Sequence, residues 1–319
     1  MSARSGDPAG GLPEFTSYED VWRYLRQARN WGRWGDDDQL GALNLITAEK
    51  RRRTAALVRT GEIVSLSRPF PLERAPNNPT PAERRTTTVE RGPTAGSAVD
   101  YLGINTHGTA STHLDALCHV WDQDGMWNGR DPAREVTADG VRFGGVDAFG
   151  AGIITRGVLL DVPRHRGVPY VTQDHPVTGN ELAAVAREFG IEIEPGDAVV
   201  VHSGRERWDE ENPSWGTGSL DVGSSRRPGL HVSCLPLLRN VDAALLVWDM
   251  MDARPNAFNV AFAVHAAIWA FGVVLIDNAL IEPLARVCAR ERRWEFQFVV
   301  APLVIPRGTG SPVNPLAIL

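Results

Sequence analysis

The run His107-Gly108-Thr109-Ala110-Ser111-Thr112-His113-Leu114-Asp115-Ala116-Leu117-Cys118-His119 gathers three of the chain's eight histidines and an aspartate into one short stretch. Imidazole and carboxylate are the usual ligands of Zn, Mn or Fe at catalytic sites. His107, His113 and Asp115 share one parity, so an extended backbone would turn all three to one face and toward one ion. His119 follows Asp115 by four residues, the spacing of a helical turn, which predicts that the two side chains face the same way. Cys118 falls inside the run, but no partner that would activate a thiol accompanies it, and it reads as a buried bystander.

Further along, Val260 to Ile276 form the longest apolar stretch, interrupted by His265 and Gly272. It is too short for a comfortable membrane span. It predicts a buried helix, a glycine stop and a buried strand ending at Asp277. Catalytic groups gather at the C-terminal ends of strands in open α/β sheets. The helix, the turn and the strand would fold Asp277 back toward His265, so the two could meet at one point.

The rest of the sequence supplies the frame. Residues 1–14 are rich in Gly, Pro and Ser and predict a flexible tail. Ser17 opens a helix with Val21, Tyr24 and Leu25 on one face, and Thr47 caps a second that runs to about Gly61. Ile63 to Leu66 read as a strand. Residues 71–98, rich in Pro, Thr, Arg and Gly, predict a long loop of the kind that serves as a lid or subunit arm. From residue 150 onward, strands alternate with helices. Strands are expected at Gly157–Asp161, Ala198–His202, Ala243–Trp248, Val273–Ile276 and Phe296–Ile305. Thr178 and Glu181 form a capping box for a helix to about Phe189. Residues 204–228 predict a polar loop carrying Trp208 and Trp215. The pattern implies an α/β architecture. No linker is evident, so one catalytic domain over 15–319 is expected, with an N-terminal helical extension over about 15–62.

With 33 basic and 39 acidic residues, the net charge of −6 argues against nucleic acid as a partner. Three cysteines do not make a disulfide framework, and no signal-peptide pattern opens the chain, so a reducing, cytoplasmic setting is expected. Ser203-Gly204 follows a strand but lacks the Gly-x-Ser-x-Gly elbow of a serine hydrolase.

The motif residues resemble the metal-dependent cyclase family that includes bacterial kynurenine formamidase and isatin hydrolase. That family carries His-x-Gly-Thr-His-x-Asp-x-Pro-x-His and a distant His/acid pair. Thr112-His113-Leu114-Asp115 through His119 matches the second half, and His265 with Asp277 matches the pair in spacing, with Asp for Glu. Trp31-Gly-Arg-Trp34-Gly, Leu40-Gly-Ala-Leu-Asn44, Arg156–Asp161, Gly196–His202 and Gly310–Pro315 are similar to its longer branch. The family's first histidine is Thr109 here, with His107 two residues upstream, and the motif Pro is Leu117.

The resemblance implies a swivelling β/β/α fold with a mixed central sheet and flanking helices. It implies one or two divalent ions, Zn or Mn, held by His107, His113, Asp115 and Asp277. His119 and His265 would move protons. The reaction implied is hydrolysis of an amide, cyclic amide or lactone. The alternatives are ring closure by a cyclase or dehydratase on a polyketide-type aromatic, or a metal-less ligand-binding member. Trp34, Trp121, Trp127 and His231 are candidates for the pocket of a small-molecule substrate. No membrane partner is expected, and a homodimer or homotetramer is.

Overall fold

The computed structural model describes residues 11–213 and 227–319. Most of the expected tail, residues 1–10, lies outside the described residues, as does Trp215. The strands are β1 (Ile63–Ser65), β2 (Glu83–Glu90), β3 (Gly96–Gly103), β4 (His113–Asp115), β5 (Val136–Thr137), β6 (Gly140–Val141) and β7 (Ile153–Asp161). They continue as β8 (Ala198–His202), β9 (Leu245–Trp248), β10 (Val274–Asp277), β11 (Glu295–Val300), β12 (Gly310–Pro312) and β13 (Leu316–Ile318). Nine of them form one mixed sheet in the order β1-β13-β11-β7-β8-β9-β10-β4-β12.

The middle of this sheet, β7 to β10, is parallel. These strands are the apolar runs of the sequence, and Val158 to Leu160, Ala198 to Val201, Leu245 to Trp248 and Val274 to Ile276 are all fully buried. Strands covered by helices on both faces read this way, because neither face meets water. Helix Ala48–Ala55 packs on β7 and β11, and helices Gly179–Glu188 and Glu282–Glu291 pack on β7. The capping box of Thr178 and Glu181 opens the second of these.

Polar residues stand at the C-terminal ends of the parallel strands: Asp161 on β7, His202 on β8, Asp277 on β10. β4 runs antiparallel to β10 and so begins at that same end, with His113 opposite Asp277 and Asp115 opposite Leu275.

The N-terminal segment docks on this body. Helix Tyr18–Ala28 buries Val21 and Leu25 and packs against helix Ala266–Phe271. Gly272 ends the latter helix in the left-handed region at φ 71°. Its carbonyl accepts the Ala42 N–H at 2.8 Å, and a Cβ there would fall 2.8 Å from the Gly41 Cα and 2.9 Å from Trp127. Only glycine permits both the conformation and the approach.

Four expectations need correction. Residues 71–98 are not a structureless loop: β2 and β3 form a ribbon of eight residues on each side, exposed along nearly its whole length. The β-branched Thr86, Thr87, Thr88 and Val89 favour the extended chain, and Gly92 at φ 73° serves the turn. The helix capped by Thr47 stops at Ala55, well before Gly61. The stretch 204–228 opens with a helix, Arg205–Glu211. The last long strand ends at Val300, and the chain returns through β12 and β13 on opposite sides of the sheet. Pro302 and Pro306 cannot donate to a ladder, which is why the strand does not run on to Ile305.

Candidate metal centre

β4 is three residues long, and its pleat decides the site. Leu114 points into the core while His113 and Asp115 share the opposite face. The Asp115 carboxylate is wholly buried, and its Oδ1 lies 2.9 Å from His107 Nδ1, 3.4 Å from His113 Nε2 and 3.9 Å from His119 Nε2. Its Oδ2 is buried with no hydrogen-bond partner among the described residues and is faced by His265 Nε2 at 3.9 Å. Burial alone would raise the pKa of this carboxyl. His119, the His107 hydrogen bond and His113 outweigh that and hold it far below the ordinary carboxylate range.

Each imidazole is oriented by a neighbour. His113 Nδ1 lies 2.9 Å from the Ser111 carbonyl, an acceptor only, so Nδ1 carries the hydrogen and Nε2 presents its lone pair toward Asp115 and Asp277. His107 lies with both ring nitrogens engaged, Nδ1 on Asp115 and Nε2 3.0 Å from Thr309 Oγ1. His119 stacks on His107 with ring centroids 3.8 Å apart. Residues 116–119 form a tight turn, closed by His119 N–H to the Ala116 carbonyl, and not the helical turn expected from spacing. Burial, the largest influence, lowers the His119 pKa to about 4.

His265 immediately precedes helix Ala266–Phe271 and is 5% exposed. Its Nδ1 lies 2.6 Å from Asp252 Oδ2 and its Nε2 3.2 Å from Asp277 Oδ2. Burial works against a charge on this ring, but Asp252 and Asp277 outweigh it and push its pKa well above the ordinary value. The Trp248 indole N–H donates to Asp277 Oδ1 at 2.5 Å. The convergence of His107, His113, Asp115, His119, His265 and Asp277 therefore joins two segments far apart in sequence.

Three participants escape sequence reasoning: Asp252, Thr309 and Trp248. Asp252 stands four residues beyond the end of β9, and the acidic pair Asp249 and Asp252 just past that strand is the only signal in the sequence. Thr309 comes from the turn before β12, which has no motif of its own.

Thr109, at the position where the resemblance puts a histidine, faces elsewhere. Its hydroxyl donates to the Asn77 carbonyl at 2.7 Å, and its carbonyl accepts from Arg205 at 2.5 Å.

Of the candidate pocket residues, Trp127 is 1% exposed, with its indole N–H on the Asp38 carbonyl. Trp34 packs at a tilt on Trp127, with centroids 6.2 Å apart. These two belong to the packing beneath the N-terminal segment. Trp121 is exposed at the surface, and His231 is half-buried with Nδ1 2.9 Å from Ser233 Oγ. The aromatic rings beside His265 are Trp248 and Phe262, at centroid distances of 5.2 Å and 6.1 Å.

Ligand atoms of His113, Asp115 and Asp277 lie within 4.8 Å of one another, as do those of His107, Asp115 and His119. A donor set of imidazoles and carboxylates around an unpartnered carboxylate oxygen fits a divalent cation.

Comparison with known proteins identifies the fold and the family. No curated protein matches the chain. A crystal structure described as a novel cyclase is 28% identical, covers 92% of this chain and 99% of its own, and superposes with a TM-score of 0.80. An isatin hydrolase bound to the product analogue thioisatinate shares the fold at 18% identity, covering 83% of this chain and 94% of its own, with a TM-score of 0.55. Isatin hydrolase A from Ralstonia solanacearum does so at 16% identity, covering 80% and 91%, with a TM-score of 0.54. The sequence profile of the Cyclase family matches residues 47–253, which include the whole run from His107 to His119. The chain therefore belongs to the cyclase family of enzymes.

Proposed function

We propose that this enzyme is a metal-dependent hydrolase of a small aromatic amide, cyclic amide or lactone. The observation that carries the reading is Asp115 Oδ2, fully buried and without a hydrogen-bond partner among four imidazoles. A carboxylate left in that state costs several kcal/mol, and a cation removes the cost. His113, Asp115 and Asp277 would hold the ion. Asp115 also lies close to the His107–His119 stack, and those three residues would hold a second ion in a binuclear form of the same site.

When bound, Zn²⁺ or Mn²⁺ supplies a Lewis acid for the carbonyl and brings the pKa of water to about 7. The protein groups divide the proton work. His119 is neutral at pH 7 because burial holds its pKa near 4, and its partly open Nε2 can accept a proton from the attacking water. His265, kept cationic by Asp252 and Asp277, can return a proton to the leaving group. Trp248 and Phe262 offer aromatic walls next to that ring.

Isatin, the compound in the neighbours' names, is the first substrate to try, followed by N-formylkynurenine and simple aromatic lactones. Turnover that vanishes on chelation and returns with Zn²⁺ or Mn²⁺ supports hydrolysis; turnover indifferent to chelation refutes it. The second reading is ring closure with dehydration at the same groups. It is favoured by the cyclase name of the 28% identical structure. No hydrolysis of the panel, with metal-dependent cyclisation of a linear aromatic polyketide, would select it.

A further inference from the structure

The C-terminal ends of β7 and β8 carry a second polar group that the proposed reaction does not use. His202 ends β8 and is 6% exposed, with Nδ1 2.9 Å from Asp161 Oδ1 at the end of β7. The carboxylate only accepts, so this bond puts a hydrogen on Nδ1 and turns Nε2 the other way. That Nε2 atom is buried and has no hydrogen-bond partner among the described residues. Glu206 is held through Oε1 by Arg68, and its Oε2 is likewise buried and unpartnered. A ring nitrogen of His202 and carboxylate oxygens of Glu206 and Asp249 lie within 4.8 Å of one another.

Two buried, unpartnered polar atoms that share one small space are costly unless a cation or donor lies between them. The surroundings choose the cation. Among the described residues, the carboxylates of Asp161, Glu206, Asp209 and Asp249 outnumber the guanidiniums of Arg68 and Arg205. Asp249 already accepts the backbone N–H groups of Ser203, Gly204, Arg205 and Met250, and it contributes charge more than a free lone pair. A histidine whose other nitrogen donates to a carboxylate is the usual posture of a metal ligand.

We propose that His202 and Glu206, backed by Asp161 and Asp249, form a second divalent-cation site separate from the Asp115 centre, with Zn²⁺ matching the imidazole and carboxylate donors. Water completes the coordination, and the partly open side of Glu206 is the entry path. The cation ties the end of β8 to helix Arg205–Glu211. Arg205 on that helix bonds the Thr109 carbonyl and the Asn278 side chain next to Asp277, so the site braces the loop that carries His107.

The test counts metal and needs no substrate, so it stands or falls independently of the hydrolase reading. Protein stripped by chelator is titrated with Zn²⁺, gel-filtered and measured by mass spectrometry, with circular dichroism as the folding control. A chain carrying Asp115→Asn and His113→Ala, which lacks both ligands of β4, is expected to retain about one equivalent. Adding His202→Gln or Glu206→Gln to it should remove that zinc. In the otherwise unchanged chain, His202→Gln should lower the count by about one equivalent. No zinc in the β4 variant, or an unchanged count on substituting His202 and Glu206, overturns the proposal.

Discussion

Among single residues, His119 and Asp252 have the most specific consequences. His119 stands close to Asp115 but keeps a partly open ring, so His119→Gln should lower kcat by about 10² to 10⁴ while leaving metal content unchanged. Its depressed pKa fixes the pH profile as well. A base that is neutral above about 4 keeps working into mild acid, so the acid limb of kcat/KM is expected near 4 and not near the ordinary imidazole value of 6.5. A limb at 6.5 that persists unchanged in His119→Gln would remove His119 from that role. Asp252→Asn takes away the partner that holds His265 Nδ1–H at 2.6 Å. It should lower kcat with a much smaller change in KM. His107, His113, Asp115 and His119 were legible as candidates from their close spacing, whereas His265 and Asp277 were legible only from the apolar helix–strand stretch that carries them and from the family's spacing. Asp252 was not, because nothing local distinguishes a supporting carboxylate from a solvated one.

For elements, the identities of the central strands follow from the buried parallel runs, and the errors fall on the exposed β2–β3 ribbon and on short segments held by distant partners. β12 pairs only because β4 lies beside it, and no period is readable in three residues. The turn after Asp115 defeats the helical spacing rule because β4 ends on a buried carboxylate and the chain must reverse at once. The exposed β2–β3 ribbon tests a different expectation. An isolated two-stranded hairpin is marginal in water, and this one displays Val89, Val99, Tyr101 and Leu102 to solvent. If it is a subunit arm, replacing residues 83–103 by a short Gly-Ser link should lower the mass seen by light scattering and leave the fold intact. An unchanged mass would end that reading. Gly272→Ala should destabilise the protein by about 2–4 kcal/mol in chemical denaturation, since it adds left-handed strain to a clash with Gly41 and Trp127. A neutral effect would mean that the N-terminal segment does not pack on this turn.

Across the whole molecule, the sheet is a scaffold for charge. Parallel strands deliver Asp161, His202 and Asp277 to one end, and the antiparallel β4 brings His113 and Asp115 to the same place. A body that buries an unpartnered carboxylate should be stabilised by the cation that satisfies it. Adding Zn²⁺ to chelated protein at a hundredfold excess over Kd is worth about 2.7 kcal/mol and should raise Tm by several degrees. The measurement that bears most directly on the central claim is metal content by mass spectrometry on protein purified without added metal, beside an Asp115→Asn variant that keeps the fold by circular dichroism. The variant is expected to hold at least about one equivalent less than the parent. Equal metal content in the two proteins, or none in either after incubation with Zn²⁺ and Mn²⁺, would contradict it.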